Sequence, residues 1–162
     1  MSLPPFADQF FVAVTWLGSL VVLLPCAAII VFFFCRSRRK REALLLGACL
    51  GLSSLMTHAL KPIFKRPRPI IDNLLVPMPT DWSFPSGHTA QATAFFLALA
   101  ILAARNLPQP AAGLAVAASM LTVLIVAYSR VYLQVHFVSD VFAGAFVGGL
   151  AVLAVATAIK KR

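Results

Sequence analysis

The chain has few charged residues, and acidic residues are the scarcest of them. Asp and Glu together number 5, and charged residues make up 12% of the 162-residue sequence, about half of the roughly 25% typical of soluble domains. Hydrophobic residues make up 60%, and the mean hydropathy is +0.90. This composition leaves too little polar surface for an ordinary soluble domain, and it indicates an integral membrane protein.

Cysteine is rare as well, with 3 residues in the chain. Cys26 and Cys49 fall inside apolar segments, and Cys35 lies at the end of one. No disulfide framework is therefore implied, and all three are interpreted as packing residues. The sequence contains no internal repeat, low-complexity tail or linker, so we expect a single domain over residues 1–162.

Long segments almost free of charge are the dominant feature of the sequence. A helix needs about 20 apolar residues to cross a hydrocarbon core of roughly 30 Å. Five such segments are predicted, at residues 10–34, 42–60, 86–104, 111–128 and 138–159, with a short interfacial helix at 4–11 before the first. The expected fold class is all-α, a polytopic bundle of about five transmembrane helices.

The net charge of +9 is unevenly placed, and its placement predicts the orientation. Basic residues concentrate at one set of helix ends, which the positive-inside rule assigns to the cytoplasm. These residues are Arg36, Arg38, Arg39, Lys40, Arg41, Arg105, Lys160, Lys161 and Arg162. We interpret the block RSRRKR as a topology anchor, not a nucleic-acid site. The N-terminus is then external and the C-terminus cytoplasmic.

The external face nevertheless carries five cations, at Lys61, Lys65, Arg66, Arg68 and Arg130. Residues that break the rule placing all the others are candidates for function. The stretch KPIFKRPRP contains four of them, and its prolines at 62, 67 and 69 are predicted to prevent a regular helix. Guanidinium forks and a lysine point charge suit phosphate oxygens. Snorkelling of these side chains to the headgroups is the alternative.

The stretch FPSGH lies at the start of the third predicted span. Pro85 suits the first turn of a helix, and Ser86 and Gly87 are expected to leave free N–H groups there, which favour an anion. Gly87 allows a close backbone approach, and His88 is expected to point into the same space. A capping turn with a histidine bonded to backbone is the alternative.

The third stretch, SRVYLQVHFVSD, contains a histidine close to a carboxylate. His136 and Asp140 are four residues apart, so on a helix they share a face. A carboxylate bonded to one imidazole nitrogen makes the other nitrogen the better nucleophile or base. Ionisable residues at the end of a membrane span are usually functional, although a purely structural pair is also possible.

Together the three stretches resemble the signature of the type 2 phosphatidic acid phosphatase superfamily, also called lipid phosphate phosphatases. That signature reads K-x6-R-P, P-S-G-H and S-R-x5-H-x3-D, and its spacing selects Arg68 over Arg66. Every motif position has its counterpart in order: Lys61, Arg68, Pro69, Pro85, Ser86, Gly87, His88, Ser129, Arg130, His136 and Asp140. By the same resemblance, the chain corresponds to the family core without its first helix.

The resemblance implies a role for each residue. His136 is the expected nucleophile, oriented by Asp140, and His88 the expected acid for the leaving oxygen and base for water. The expected phosphate-binding residues are Lys61, Arg68, Ser86, Gly87 and Arg130. We expect no cofactor and no metal, because these cations suit the charge spread of phosphoryl transfer. Only Asp8, Asp72 and Asp81 join Asp140 as external acids, too few for a divalent ligand set.

The expected partner is a phosphorylated membrane lipid, and the chain cannot name it. Isoprenoid pyrophosphate, lipid A phosphate, phosphatidylglycerol phosphate and phosphatidic acid all fit, with a slight preference for the first two. A lipid-to-lipid phosphotransferase and a non-enzymatic lipid or anion transporter are alternatives. A transporter, however, does not need His88, His136 and Asp140. A soluble haloperoxidase is excluded by the apolar composition. The oligomeric state is left open.

Overall fold

The structure, a computed structural model that describes residues 5–71 and 74–160, is built from α-helices. Over this part of the chain no strand is present. The helices are α1 (Pro5–Val14), α2 (Leu20–Arg36), α3 (Lys40–Phe64), α4 (Gly87–Asn106), α5 (Ala111–Tyr132) and α6 (Val138–Lys160), and a short 3-10 helix (Thr15–Gly18) joins α1 to α2. The all-α fold class predicted from the sequence is therefore confirmed.

Four helices, α3 to α6, are long and apolar enough to cross a membrane, and they match the last four predicted spans. The first predicted span, residues 10–34, is wrong as one continuous helix. The segments on either side of Ser19 are bent by 48° relative to each other, and α1 lies before the bend. Of the interfacial helix expected at 4–11, residue 4 lies outside the described residues.

The bend has a local cause in two small residues. Ser19 has an extended backbone and caps α2, because its side chain accepts a hydrogen bond from the Val21 N–H at 3.3 Å. A Cβ on Gly18 would lie 2.8 Å from the His88 carbonyl oxygen and 2.7 Å from a Val126 methyl group. The bend therefore brings the chain against α4 and α5 at a point where only glycine fits.

Helix α4 lies at the centre of the bundle, in contact with α2, α3, α5 and α6. Its inner positions are occupied by small residues, including Ala90, Ala92, Ala94 and Ala98, all fully buried. Small residues allow helix backbones in a membrane to approach closely.

The four-residue spacings of Gly47 with Gly51 and of Gly144 with Gly148 predict close helix packing, and the two pairs behave differently. Gly144 and Gly148 of α6 lie directly against α4. A Cβ on Gly144 would lie 2.5 Å from the Ser86 carbonyl oxygen, and a Cβ on Gly148 would clash with the Ala90 carbonyl oxygen. By contrast, Gly47 has its nearest neighbour at 3.8 Å and Gly51 has none within 4 Å. Close packing is thus confirmed for the α6 pair and wrong for the α3 pair.

Gly148→Ala is expected to lower the stability of the folded bundle by about 1–3 kcal/mol, the usual cost of overpacking. The added methyl group would press on the rigid backbone of α4, which cannot move aside as a side chain would. Thermal unfolding in detergent measures the effect. Gly149→Ala is the matched control, because nothing lies within 4 Å of a Cβ there; equal melting temperatures for the two variants would contradict the packing.

Candidate active site

The three polar stretches singled out in the sequence meet at one cavity of about 230 Å³. The cavity lies where α3 and α5 end and where α4 begins, with the loops before α4 and α6 completing its wall. It is lined by six residues of the motifs: Lys61, Arg68, Gly87, His88, Arg130 and His136. Asp140 and Ser86 lie behind this wall and are fully buried.

His136 and Asp140 form a pair at the start of α6. His136 Nδ1 lies 3.3 Å from Asp140 Oδ2, and both side chains are almost completely buried. His136 precedes α6, and Asp140 is in its first turn, so the pair spans the helix start and not a regular turn. Because Nδ1 faces the carboxylate, the lone pair is left on Nε2.

Asp140 is held by partners on both of its oxygens. Oδ1 accepts a hydrogen bond from Arg66 Nη1 at 2.7 Å. Oδ2 accepts one from the Phe137 N–H at 2.9 Å and another from the Ser83 hydroxyl. A buried carboxylate that keeps its charge needs this number of donors, and they fix the direction in which it holds the imidazole.

His136 is neutral at neutral pH. Burial lowers the pKa of His136 to about 4, although its hydrogen bond to Asp140 acts in the opposite direction. The charges of Arg68 and Arg130 add to the lowering. A neutral imidazole with its lone pair on Nε2 is the form that can attack an electrophile.

Arg68 reaches the exposed side of that imidazole. Its Nη1 lies 3.2 Å from His136 Nε2 and donates to the Val135 carbonyl at 2.7 Å. Its Nε donates to the Asp81 carbonyl at 2.8 Å. The guanidinium group is thus fixed within reach of any group that His136 would attack.

Lys61 enters the cavity from the last turn of α3. The sequence-based expectation that Pro62 prevents a helix is wrong, because α3 continues to Phe64 with Pro62 inside it. The helix ends at Lys65, whose backbone is left-handed with φ of 45°. Pro67 lies in the non-helical segment that follows, as expected. Lys61 Nζ therefore comes from a rigid helix end, where it donates to the Trp82 carbonyl.

Arg130 is buried in the last turn of α5 and is 3% exposed. Its Nη1 donates to Thr15 Oγ1 at 2.6 Å, which ties the 3-10 helix to the cavity. Its Nε has no hydrogen-bond partner among the described residues. A buried guanidinium nitrogen without an acceptor is costly, so this wall of the cavity suits an anion.

The residues at the start of α4 are only partly arranged as expected. The N–H of Ser86 is not free, as it donates to the Asp140 carbonyl oxygen at 2.9 Å. The Ser86 hydroxyl accepts a hydrogen bond from Thr89 Oγ1 at 3.1 Å. Gly87, in contrast, begins α4 at the cavity wall. The backbone bond from Ser86 instead fixes the start of α4 against the start of α6.

His88 lies between the cavity and a second, apolar groove. Its imidazole makes no side-chain hydrogen bond to the described residues, so the alternative of a histidine bonded to backbone is not supported. The groove has a volume of about 460 Å³ and shares His88 and Arg130 with the cavity. Its other walls are the α1–α2 bend and the loop before α4, including Val12, Trp16, Leu75, Val76 and Pro77.

Four residues of the site were not selected from the sequence. Arg66 and Ser83 hold Asp140, and the Arg66 guanidinium also lies 4.3 Å from the centre of the Phe137 ring. Asp81 and His58 line the cavity. Arg66 belongs to the same R-P-R-P run as Arg68, but nothing in the sequence indicated that Arg66 would bond to Asp140. His58 lies outside the three motif stretches, so the sequence alone predicts a structural or interfacial role for it.

Among residues 5–71 and 74–160, no group of three or more His, Cys, Asp or Glu side chains is placed to hold a metal ion. Asp72, one of the four external acids, lies outside these residues. The groups available to balance a bound anion are therefore the three cations of the cavity wall, Lys61, Arg68 and Arg130.

Comparison with known proteins identifies the family. A family model described as the PAP2 superfamily matches residues 42–162, well over half of the chain. Phosphatidylglycerophosphatase B of Bacillus subtilis is 33% identical over 150 residues, which cover 89% of this chain and 71% of that protein.

Two solved structures are similar to this fold. The crystal structure of a transmembrane PAP2-type phosphatidylglycerolphosphate phosphatase from Bacillus subtilis superposes with a TM-score of 0.89 at 30% identity, over 98% of this chain and 79% of that one. The crystal structure of Aquifex aeolicus LpxE has a TM-score of 0.77 at 32% identity, over 96% and 88%. With four to five apolar helices of membrane-spanning length and these relatives, the chain is a multi-pass membrane protein, and it belongs to the PAP2 superfamily of phosphatases.

Proposed function

We propose that this phosphatase hydrolyses a phosphate monoester or pyrophosphate on a membrane lipid, through a phosphohistidine formed on His136. The observation that carries the proposal is the position of His136. One ring nitrogen is bonded to a buried carboxylate, and the other opens onto a cavity lined by Lys61, Arg68 and Arg130. A nucleophile and its orienting group next to preorganised cations are the requirements of phosphoryl transfer without a metal.

In the first step the Nε2 lone pair of His136 attacks phosphorus, and the bond from phosphorus to the lipid oxygen breaks. His88 donates a proton to that leaving oxygen. In the second step His88 takes a proton from water, whose oxygen attacks phosphorus and breaks the P–N bond to release phosphate. Asp140 holds the Nδ1–H throughout and stabilises the charge on the ring.

The three cations and the N–H of Gly87 bind the nonbridging oxygens. The charge that they neutralise is the charge that grows in the transition state, so they accelerate transfer as well as binding. Ser86, whose N–H is engaged, contributes at most through its hydroxyl group and by fixing the start of α4. The lipid chain lies in the apolar groove beyond His88, so the leaving oxygen is next to the imidazole that protonates it.

We further propose that the site faces the periplasm in a bacterial inner membrane. At the opposite helix ends a cavity of about 720 Å³ is lined by basic residues: Arg38, Arg39, Lys40, Arg41, Arg105 and Lys160. The positive-inside rule assigns those ends to the cytoplasm. The active site then lies at the interface of the outer leaflet, where a lipid can reach the groove sideways.

Phosphate release by the purified chain in detergent tests the function. We expect release from at least one of four lipids, namely undecaprenyl pyrophosphate, phosphatidylglycerol phosphate, phosphatidic acid and lipid A. Release should persist in EDTA, because the cations replace a metal, and vanadate should inhibit it. Phosphate that moves only to another lipid would favour a phosphotransferase. Loss of turnover in EDTA with recovery in magnesium would contradict the metal-free mechanism.

A further inference from the structure

The carboxylate of Asp81 contacts two of the three cations of the proposed phosphate site. Asp81 Oδ2 lies 3.0 Å from Lys61 Nζ, and Oδ1 lies 2.5 Å from Arg68 Nη2. The Asp81 backbone carbonyl accepts a third bond, from Arg68 Nε at 2.8 Å. One loop residue thus connects the motif lysine to the motif arginine.

The carboxylate lies on the outer side of these cations. The side chains of Lys61 and Arg68 are each 8% exposed, whereas that of Asp81 is 49% exposed. Burial opposes ionisation of Asp81, but hydrogen bonds from Lys61 and Arg68 outweigh this and lower its pKa below the usual value. Asp81 is therefore an ionised group at the rim of the cavity at neutral pH.

Arg68 has no donor left over for a phosphate. Its Nε bonds to the Asp81 carbonyl, and Nη1 bonds to the Val135 carbonyl and His136 Nε2. Its Nη2 bonds to the Asp81 carboxylate and, at 3.4 Å, to the Trp82 carbonyl. These five contacts account for all five N–H groups of a guanidinium. The contact to His136 Nε2 must open when that nitrogen attacks phosphorus, which frees one N–H for a phosphoryl oxygen. Any further phosphoryl oxygen at Nη2 of Arg68 competes with the exposed Asp81 carboxylate.

The charge of the cavity follows from the same residue. Apart from histidines, its charged lining consists of Lys61, Arg68 and Arg130 against Asp81, three positive charges less one negative, or +2. A single phosphoryl group carries about −1.5 to −2 at neutral pH, which this charge balances. A pyrophosphate adds a further negative charge, which would lie near the rim carboxylate.

We propose that Asp81 is a specificity-determining residue that limits the site to one phosphoryl group, so that lipid phosphate monoesters are preferred over lipid pyrophosphates. The proposal rests on the proposed phosphatase function and narrows its substrate class. Of the two lipids slightly preferred from the sequence, it favours lipid A phosphate and disfavours isoprenoid pyrophosphate. The selection works through repulsion of the second phosphate, not through an added contact to the first.

The test compares two substrates that share one chain, farnesyl phosphate and farnesyl pyrophosphate, with the purified full chain and Asp81→Asn. Asparagine keeps the shape and an acceptor oxygen but removes the charge. The ratio of kcat/KM for pyrophosphate to that for monophosphate should rise about 100-fold, the effect of one unit charge about 6 Å away at an effective dielectric constant near 20. Asp8→Asn is the matched control, because Asp8 contacts Tyr132 and not the cavity cations, and its ratio should equal that of the unchanged chain.

Calorimetric binding of inorganic phosphate and inorganic pyrophosphate gives a second readout that needs no turnover. In the unchanged chain pyrophosphate should bind no more tightly than phosphate, and Asp81→Asn should shift the ratio toward pyrophosphate by about 100-fold. An unchanged ratio in both measurements would overturn the proposal. Equal loss of both activities would also overturn it, since Asp81 would then only orient Lys61 and Arg68. If the unchanged chain releases no phosphate from any lipid, the proposed function fails, and the binding ratio alone decides the role of Asp81.

Discussion

His136→Ala is expected to abolish turnover and to remove any acid-labile phosphoenzyme. Loss of a catalytic nucleophile costs on the order of 10⁶ in rate in a well-studied hydrolase, and no other described imidazole is bonded to a carboxylate here. Rapid-quench labelling with a lipid carrying radioactive phosphate measures both quantities. Thermal melting of the variant confirms that the bundle remains folded.

The other two histidines provide the comparison. His88→Ala should still form a phosphoenzyme, with a rate lowered by the 10²- to 10⁴-fold expected of general acid–base catalysis. The loss should be larger for a monophosphate lipid than for a pyrophosphate lipid, because an alkoxide leaving group needs a proton more than phosphate does. His58→Ala tests the third imidazole: its ring lines the cavity but, among the described residues, bonds only to Ser54, so this variant should still form the phosphoenzyme. Label trapped on His88 in place of His136 would reverse the assigned roles.

Asp140→Asn is expected to lower kcat by about 10⁴-fold, as neutralising an orienting carboxylate does in a serine protease. Its two oxygens accept from Arg66, Ser83, Phe137 and His136. An asparagine amide has one acceptor oxygen, and its NH₂ would face donors. The imidazole would then lose both its fixed tautomer and the charge that stabilises it.

Steady-state kinetics on the folded variant separate this effect from simple loss of stability. KM should change little, because Asp140 lies behind the cavity wall and contacts no substrate. Ser139→Ala is the matched control: it removes the neighbouring side chain, which bonds to the same Arg66 Nη1 at 2.7 Å, and should keep a near-normal rate. A rate for Asp140→Asn within tenfold of the unchanged chain would show that the carboxylate is structural.

The sequence by itself determined the class of the protein and most of the residues that meet at the candidate site. Helix length and charge placement can be predicted from short stretches of sequence, because each span in lipid must satisfy its own backbone hydrogen bonds. Motif spacing identified Lys61, Arg68, Gly87, His88 and Arg130 as residues that would meet, and the structure brings them to one cavity. It also identified His136 with Asp140, although their pairing spans a helix start and not a helical turn.

What the sequence missed depends on contacts between segments far apart in the chain. Motif spacing selected Arg68 over Arg66 but indicated no partner for Arg66, which bonds to Asp140, whereas Arg68 contacts His136. The same is true of Ser86, whose expected free N–H is used by the Asp140 carbonyl.

The break in the first span was also decided by tertiary packing. Gly18 and Ser19 lie in an apolar run that reads as continuous helix, but close approach of the His88 carbonyl to Gly18 selects a bend. Asp81 is isolated in the sequence. It acquires its partners because the end of α3 and the segment after it lie beside the loop before α4. Local patterns specify which chemical groups a segment carries. Hydrogen-bond partners and cavity charge depend on how separate segments pack against each other, and sequence periodicity does not encode this packing.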